Sequence, residues 1–222
     1  MKNERKIQGG VYLVVDPVLG LSHILSKIKQ AIAGGIDVMQ IWNNWSNTSN
    51  KQEFITAICE AAHAHNIPVL INEEWKLMQS APLDGVHFDN IPVDINTIRQ
   101  KIARPFICGI TCGNDLSRIE WATDNMLDYI SFCSMFPSPS AGICEIVSKE
   151  TVTRARQLTS LPIFLAGGIT LNNINELTDT GMNGIALISA IMKADNAQTT
   201  TKAFKEKLKT IKTTGNEALI NR

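Results

Sequence analysis

Eight apolar runs punctuate the chain: VYLVV (11–15), DVMQI (37–41), PVLI (68–71), DGVHF (84–88), FICGI (106–110), DYISF (128–132), PIFLA (162–166) and GIALI (184–188). Most are continuously apolar rather than alternating, the mark of strands buried on both faces and so of a parallel sheet. Between most of them, apolar residues recur at helical spacing. LSHILSKIKQAIAGG places Leu21, Ile24, Leu25, Ile28 and Ile32 on one face and stops at a glycine pair. KQEFITAICEAAHAHN does the same with Phe54, Ile55, Ile58 and Ala62. A helix-like pattern also follows directly on Gly167 and Gly168, and TTTKAFKEKLKTIK supplies the last helix before a fraying tail. Eight strand–helix units with no linker predict one domain over 1–222, a single (β/α)8 barrel. An open doubly wound sheet is the alternative, but it does not normally need eight evenly spaced strands.

Composition narrows the function classes. The 222 residues are 44% hydrophobic, and 21 basic residues balance 21 acidic ones. A neutral chain carries no global field for nucleic acid or an anionic membrane, so neither is expected as a partner. The five cysteines, Cys59, Cys108, Cys112, Cys133 and Cys144, are odd in number and lack a paired spacing, which fits reduced buried thiols. No histidine or second pair completes a metal site around Cys108 and Cys112. The N-terminal MKNERKIQGG has no apolar signal-peptide core, and no run reaches membrane-spanning length, so a soluble cytoplasmic protein is expected.

A barrel of this kind holds its ligand at the C-terminal strand ends, with phosphate often bound after strands seven and eight. Gly167 and Gly168 follow strand seven; Ile188 and Ser189 follow strand eight. Bare glycine backbone lets an anion approach the amides, and helix starts favour negative charge. These two turns are the predicted phosphate site. On this reading Gly168→Asp abolishes anion binding with little effect on fold stability.

The strand-end motifs resemble, in order and along most of the chain, those of the thiamine phosphate synthase/TenI family. YLVVDP is similar to the family's Tyr-Leu-Val-Thr-Asp-Pro, AGGIDVMQI to its Gly-Gly-Val…Val-Gln-Leu, and IPVLINE to Val-Pro-Leu-Ile-Asn-Asp. DGVHF resembles Asp-Gly-Val-His-Leu, and DYISFCSMFPSPS the stretch Asp-Tyr-Ile-Gly…Phe-Pro-Thr-x-Thr; AGGIT and GIALISAI close the set. The resemblance implies a role in thiamine biosynthesis or salvage. The family's synthases join a thiazole phosphate to a hydroxymethylpyrimidine diphosphate, with Mg2+ and cationic side chains neutralising the departing pyrophosphate. Its members commonly assemble as oligomers, so a homo-oligomer is an open expectation.

Several of the charges that this chemistry uses are replaced. The family's Gln-x-Arg-x-Lys reads Gln40-Ile41-Trp42-Asn43-Asn44, and its Asn-Asp-Arg reads Asn72-Glu73-Glu74. Glu73 is the remaining candidate metal ligand; the second metal aspartate falls on Pro92, with Asp89 and Asp94 near but out of register. The lysine after Pro-Thr-x-Thr aligns with Ala141, the threonines being Ser138 and Ser140. A diphosphate brings roughly three negative charges, so losing four cations is expected to slow or abolish pyrophosphate release. The family's TenI-like aminothiazole tautomerases need no diphosphate, but their catalytic histidine aligns with Gly113. Catalytic candidates are then Glu73, Thr111 and Cys112, while His87 reads as a structural residue.

Gln40, Asn72, Thr111, Ser138 and Ser140 remain as neutral donors and acceptors for a flat heterocycle, with Trp42 and Asn44 beside them. Trp42, Trp45 and Trp75 read either as a stacking wall or as packing under a loop. Three readings stay open: a divergent synthase using Mg2+, a metal-free tautomerase or isomerase, and a non-catalytic binder of a phosphorylated heterocycle. The expected partner in each is a small phosphorylated heterocycle such as thiazole phosphate or thiamine phosphate.

Overall fold

Strands β1 (Gly10–Val15), β2 (Val38–Ile41), β3 (Val69–Asn72), β4 (Gly85–Phe88), β5 (Ile107–Thr111), β6 (Tyr129–Cys133), β7 (Ile163–Ala166) and β8 (Gly184–Leu187) pair in chain order, all parallel. β8 returns to pair with β1, closing the barrel. The computed structural model describes residues 6–45, 50–138 and 145–220. Around the barrel run α1 (Leu21–Gly34), α2 (Lys51–His63), α3 (Ile95–Ile102), α4 (Ser117–Asp124), α5 (Lys149–Leu158), the one-turn α6 (Ser189–Met192) and α7 (Ala197–Ile220). The crossovers β3–β4 and β7–β8 carry 3-10 segments instead, Trp75–Gln79 and Ile174–Thr180. The helix expected directly after Gly168 is therefore a 3-10 segment, and it begins only at Ile174.

Strand parity separates two apolar layers. Val11, Leu13, Val15, Met39, Ile41, Ile71, Val86, Ile130 and Leu165 face outward into the layer beneath the helices. Tyr12, Val14, Val38, Leu70, Ile107, Tyr129 and Phe164 fill the barrel itself. Gly109 makes this interior possible: a Cβ there would overlap the Tyr129 ring, so the glycine on β5 vacates the space that the ring occupies.

A repeated device clamps the N-terminal rim. The residue just before each even strand accepts a hydrogen bond from an amide at the start of the odd strand before it. Asp37 takes Val11 N at 2.9 Å, Asp84 takes Val69 N at 2.8 Å, Asp128 takes Cys108 N at 2.7 Å and Asn183 takes Ile163 N at 2.9 Å. Lys205 of α7 reaches Asp37 at 2.7 Å, and His63 of α2 reaches Asp84 at 2.7 Å, so helices are tied to the same rim. The opposite, C-terminal rim is left for the site. No helix among the described residues is long and apolar enough to cross a membrane.

Candidate functional site

At the C-terminal rim, β7 ends in Gly167 and Gly168 with φ of +89° and +65°, conformations that glycine adopts without Cβ strain. Space enforces the same choice. A Cβ on Gly167 would overlap Ser134 Oγ, and one on Gly168 would lie 2.7 Å from the carbonyl oxygens of Phe136 and Pro137. Asn173 braces the turn, donating to Gly168 O at 2.9 Å and accepting from Thr170 N at 2.7 Å. After β8, Ile188 and Ser189 open α6. The amides of Gly167, Gly168, Ser189 and Ala190 find no acceptor among the described residues. They border a cavity of about 400 Å3 that also meets Val14, Ser138, Thr170 and Lys193. Lys193 is exposed and has no ion-pair partner among the described residues.

Deeper in the barrel lies a buried polar chain contributed by five strands. Tyr12 Oη donates to Gln40 Oε1 at 2.7 Å and lies 3.0 Å from Tyr129 Oη. Tyr129 Oη is 2.8 Å from His87 Nδ1, and His87 Nε2 is 2.9 Å from Thr111 Oγ1. Thr111 Oγ1 is 3.1 Å from Ser131 Oγ. Burial pushes His87 down to about 4, so it stands neutral, and raises both tyrosines above their ordinary range. Asn72, paired in register with His87, donates to the His87 carbonyl at 3.3 Å. Its Oδ1 is buried and has no hydrogen-bond partner among the described residues.

The β3 and β4 ends hold the acidic groups. Glu73 sits at φ +59° and accepts from Asp89 N at 2.6 Å; burial raises its carboxyl above the ordinary range, with the Asp89 amide opposing the shift. Glu74 is paired with Lys51 at 2.7 Å, and Lys51 also lies over the Trp45 ring. Asp94 is occupied as the cap of α3, accepting from the Asn96 and Thr97 amides and from Thr97 Oγ1. Arg118 joins the β4 and β5 ends, donating to Asp89 O and Thr111 O at 2.9 Å each.

The profile of the family described as Thiamine monophosphate synthase matches residues 11–191. The chain belongs to this family. It is 26% identical over 201 residues to a thiamine-phosphate synthase of Methanobrevibacter smithii, covering 89% of this chain and 96% of that one. It is 27% identical over 193 residues to a Clostridium botulinum thiamine-phosphate synthase, covering 86% and 94%. Thiamine phosphate pyrophosphorylase from Pyrococcus furiosus shares the fold at a TM-score of 0.79 and 21% identity, over 94% of this chain and 98% of that one.

Set against that family's chemistry, the predicted residues divide. Gly167, Gly168, Ile188, Ser189 and Ser138 line one cavity. Gln40 and Thr111 belong to the barrel's polar chain, and Asn72 stands at its edge. Trp42 packs on the barrel interior, whereas Trp45 and Trp75 pack into the outer layer, with Phe54 against Trp45 and Lys76 and Lys101 against Trp75. Of the two readings left open for the tryptophans, packing fits Trp45 and Trp75, whereas Trp42 alone packs against the barrel interior. Asn44 is exposed and donates to Asp16 at 3.2 Å, away from the inner chain. Cys112 is also corrected: it lies in the outer layer with its thiol pushed up to about 12 by burial, unfit to move a proton at the barrel mouth. Ser140 and Ala141 fall outside the described residues.

A Mg2+ is usually held by one or two carboxylates plus substrate oxygens in near-octahedral geometry. Glu73 accepts from a backbone amide with the Asp89 charge close by, whereas Asp94 commits both of its oxygens and Pro92 offers none. Among the described residues no group of three metal-binding side chains converges. Lys193 was missed in the sequence. Its signal was position, since it stands four residues beyond Ser189, one helical turn along the segment that opens the cavity.

Proposed function

We propose that this family member binds a phosphorylated heterocycle, a thiazole phosphate or a thiamine phosphate-like compound, and that its pyrophosphate-releasing step is slow or absent. One observation carries the reading: amides of two turns that find no acceptor among the described residues border a single cavity with Lys193 at its edge. The phosphate takes those amides and the lysine; the ring extends toward Val14 and the polar chain beyond it. Synthase chemistry asks for more cations than the rim supplies, for Glu74 is an anion already neutralised by Lys51. Among the catalytic candidates, Glu73 keeps a raised carboxyl and Thr111 a hydroxyl at the rim, which leaves metal-free isomerisation of the same ligand as the second reading.

Calorimetry with thiazole phosphate tests the site. Gly168→Asp is a poor probe: the left-handed φ and the 2.7 Å approach to two carbonyl oxygens make it destabilising, contrary to the expectation from sequence. Ser189→Asp places the same charge at the first turn of α6, where an acidic side chain suits the helix start. The variant should keep the fold and lose binding by at least about a hundredfold. Unchanged affinity in a folded Ser189→Asp protein would remove the phosphate assignment.

A further inference from the structure

Lys193 stands at the end of a helix that cannot hold itself. α6 is a single turn, Ser189–Met192, and one turn gains too few hydrogen bonds to offset the cost of nucleating it. Four residues outside either helix then lead to α7 at Ala197. Burial of Ile191 and Met192 anchors the apolar side of the turn, but it leaves the exposed Lys193 to follow the connection.

That connection is held from outside, by α1. Three positions of α1 meet it in a constant register. Lys27 Nζ donates to Ala194 O at 2.5 Å, and Gln30 Oε1 accepts from Ala197 N at 3.1 Å. At Gly34 a Cβ would stand 2.5 Å from Gln198 O and 2.6 Å from Thr201 Cβ, so α1 packs directly on the first turns of α7. Lys27, Gln30 and Gly34 recur at intervals of three and four, the spacing of one helix face. Gln30 and Gly34 serve the packing of α7. Lys27 differs, because its partner is the residue next to Lys193 and lies in neither helix.

We propose that Lys27 is a positioning residue for anion binding: its bond to Ala194 O fixes the connection beside Lys193 and so keeps the Lys193 ammonium at the cavity. Lys27 does not line that cavity, and its ammonium is committed to a carbonyl oxygen. Losing it removes no contact with the anion. The loss is in the ordering of Lys193, which binding must then impose against conformational entropy. This role rests on the phosphate reading above, whereas the clamp on the connection does not. A Lys27 charge acting at a distance would behave differently, for its effect on binding would persist without Lys193.

The role is tested by a double-mutant cycle, read by calorimetry with thiazole phosphate. Lys27→Met keeps the aliphatic stem and loses the donor. It should weaken binding by about fivefold, but by less than about twofold in a Lys193→Ala background. Lys27→Arg, which retains a donor, should keep most of the affinity. An equal loss with and without Lys193, or no loss at all, would overturn the positioning role. The clamp is read without ligand, by hydrogen exchange of the Met192, Lys193 and Ala194 amides, which bond back to Ile188 O, Ser189 O and Ile191 O. Lys27→Met should speed their exchange at least about tenfold while Val11 and Val69 at the opposite rim exchange as before. Unchanged exchange at the three amides, or equally faster exchange at both rims, would overturn the clamp. No binding by the unmodified protein would overturn the phosphate reading and the role of Lys27 together, with the clamp still decided by the exchange.

Discussion

Lys193 and His87 show how much a single residue is asked to do in this barrel. Lys193 has no ion-pair partner among the described residues and stands on the rim of a cavity bordered by amides without acceptors among them, so a phosphate there would gain a charge-assisted contact. Lys193→Ala should weaken thiazole phosphate binding by about tenfold in calorimetry, and Lys193→Arg should retain most of it. An unchanged Lys193→Ala affinity would mean that the amides suffice. His87 acts through its neutrality. Its pKa is about 4 in the fold against an ordinary 6.5, so below pH 6.5 the unfolded chain takes up a proton that the folded one refuses. Stability is therefore lost as pH falls from about 6.5 toward 4, by on the order of 2 kcal/mol at pH 5. Urea unfolding at pH 7 and pH 5 should show that loss, and His87→Gln should show less of it. Residues such as His87, Tyr12 and Tyr129 were hard to read from the sequence because the chain of contacts takes one or two side chains from each strand. Cys112 misled for the opposite reason, and Trp45 and Trp75 stayed undecided for it: closeness to a strand end along the chain does not say which side of the wall a side chain takes.

At the scale of elements, the strands were legible and the crossovers less so. Each strand is buried on both faces, so its apolar run is short, continuous and bounded, and every observed end lies within one residue of the run. A 3-10 segment presents nearly the same spacing of apolar residues as an α-helix, which is why Ile174–Thr180 read as an ordinary helix. The correction matters for the site, since Gly167 and Gly168 offer an anion the amides of a turn and not those of a long helix. The rim clamps were also invisible: an acidic residue before a strand has no apolar signature, although it recurs at Asp37, Asp84 and Asp128. Their position separates stability from binding. Asp84→Ala removes the acceptor of Val69 N and the partner of His63, both at the rim opposite the cavity. It should cost about 1–3 kcal/mol in urea unfolding while leaving thiazole phosphate affinity within about twofold. A parallel fall in affinity would show that the two rims are coupled.

Taken whole, the molecule has the barrel of a thiamine monophosphate synthase with a rim whose charges have been redistributed. The four positions at which the family resemblance places cations hold Trp42, Asn44, Glu74 and Ala141. Trp42 has joined the barrel interior, Asn44 is bound to Asp16, and Glu74 forms an ion pair with Lys51, so three of the four are absorbed into local structure. Losing one oxyanion-stabilising group commonly costs about a hundredfold or more in rate. Supplied with both family substrates and Mg2+, the protein should therefore form thiamine phosphate near the detection floor; turnover at ordinary enzyme rates would show that Lys193, Arg118 or other groups replace the missing charges. A silent protein allows the reverse experiment, in which Trp42→Arg, Asn44→Lys, Glu74→Arg and Ala141→Lys are combined with Pro92→Asp. The restored set carries one foreseeable cost, because Glu74→Arg faces Lys51 with a like charge where a 2.7 Å ion pair stood. Adding Lys51→Gln relieves that repulsion, and the six-fold variant should recover measurable pyrophosphate release. Recovery would locate the defect in charge; continued silence in a folded variant that still binds thiazole phosphate would overturn the charge explanation and locate the defect in the shape of the rim.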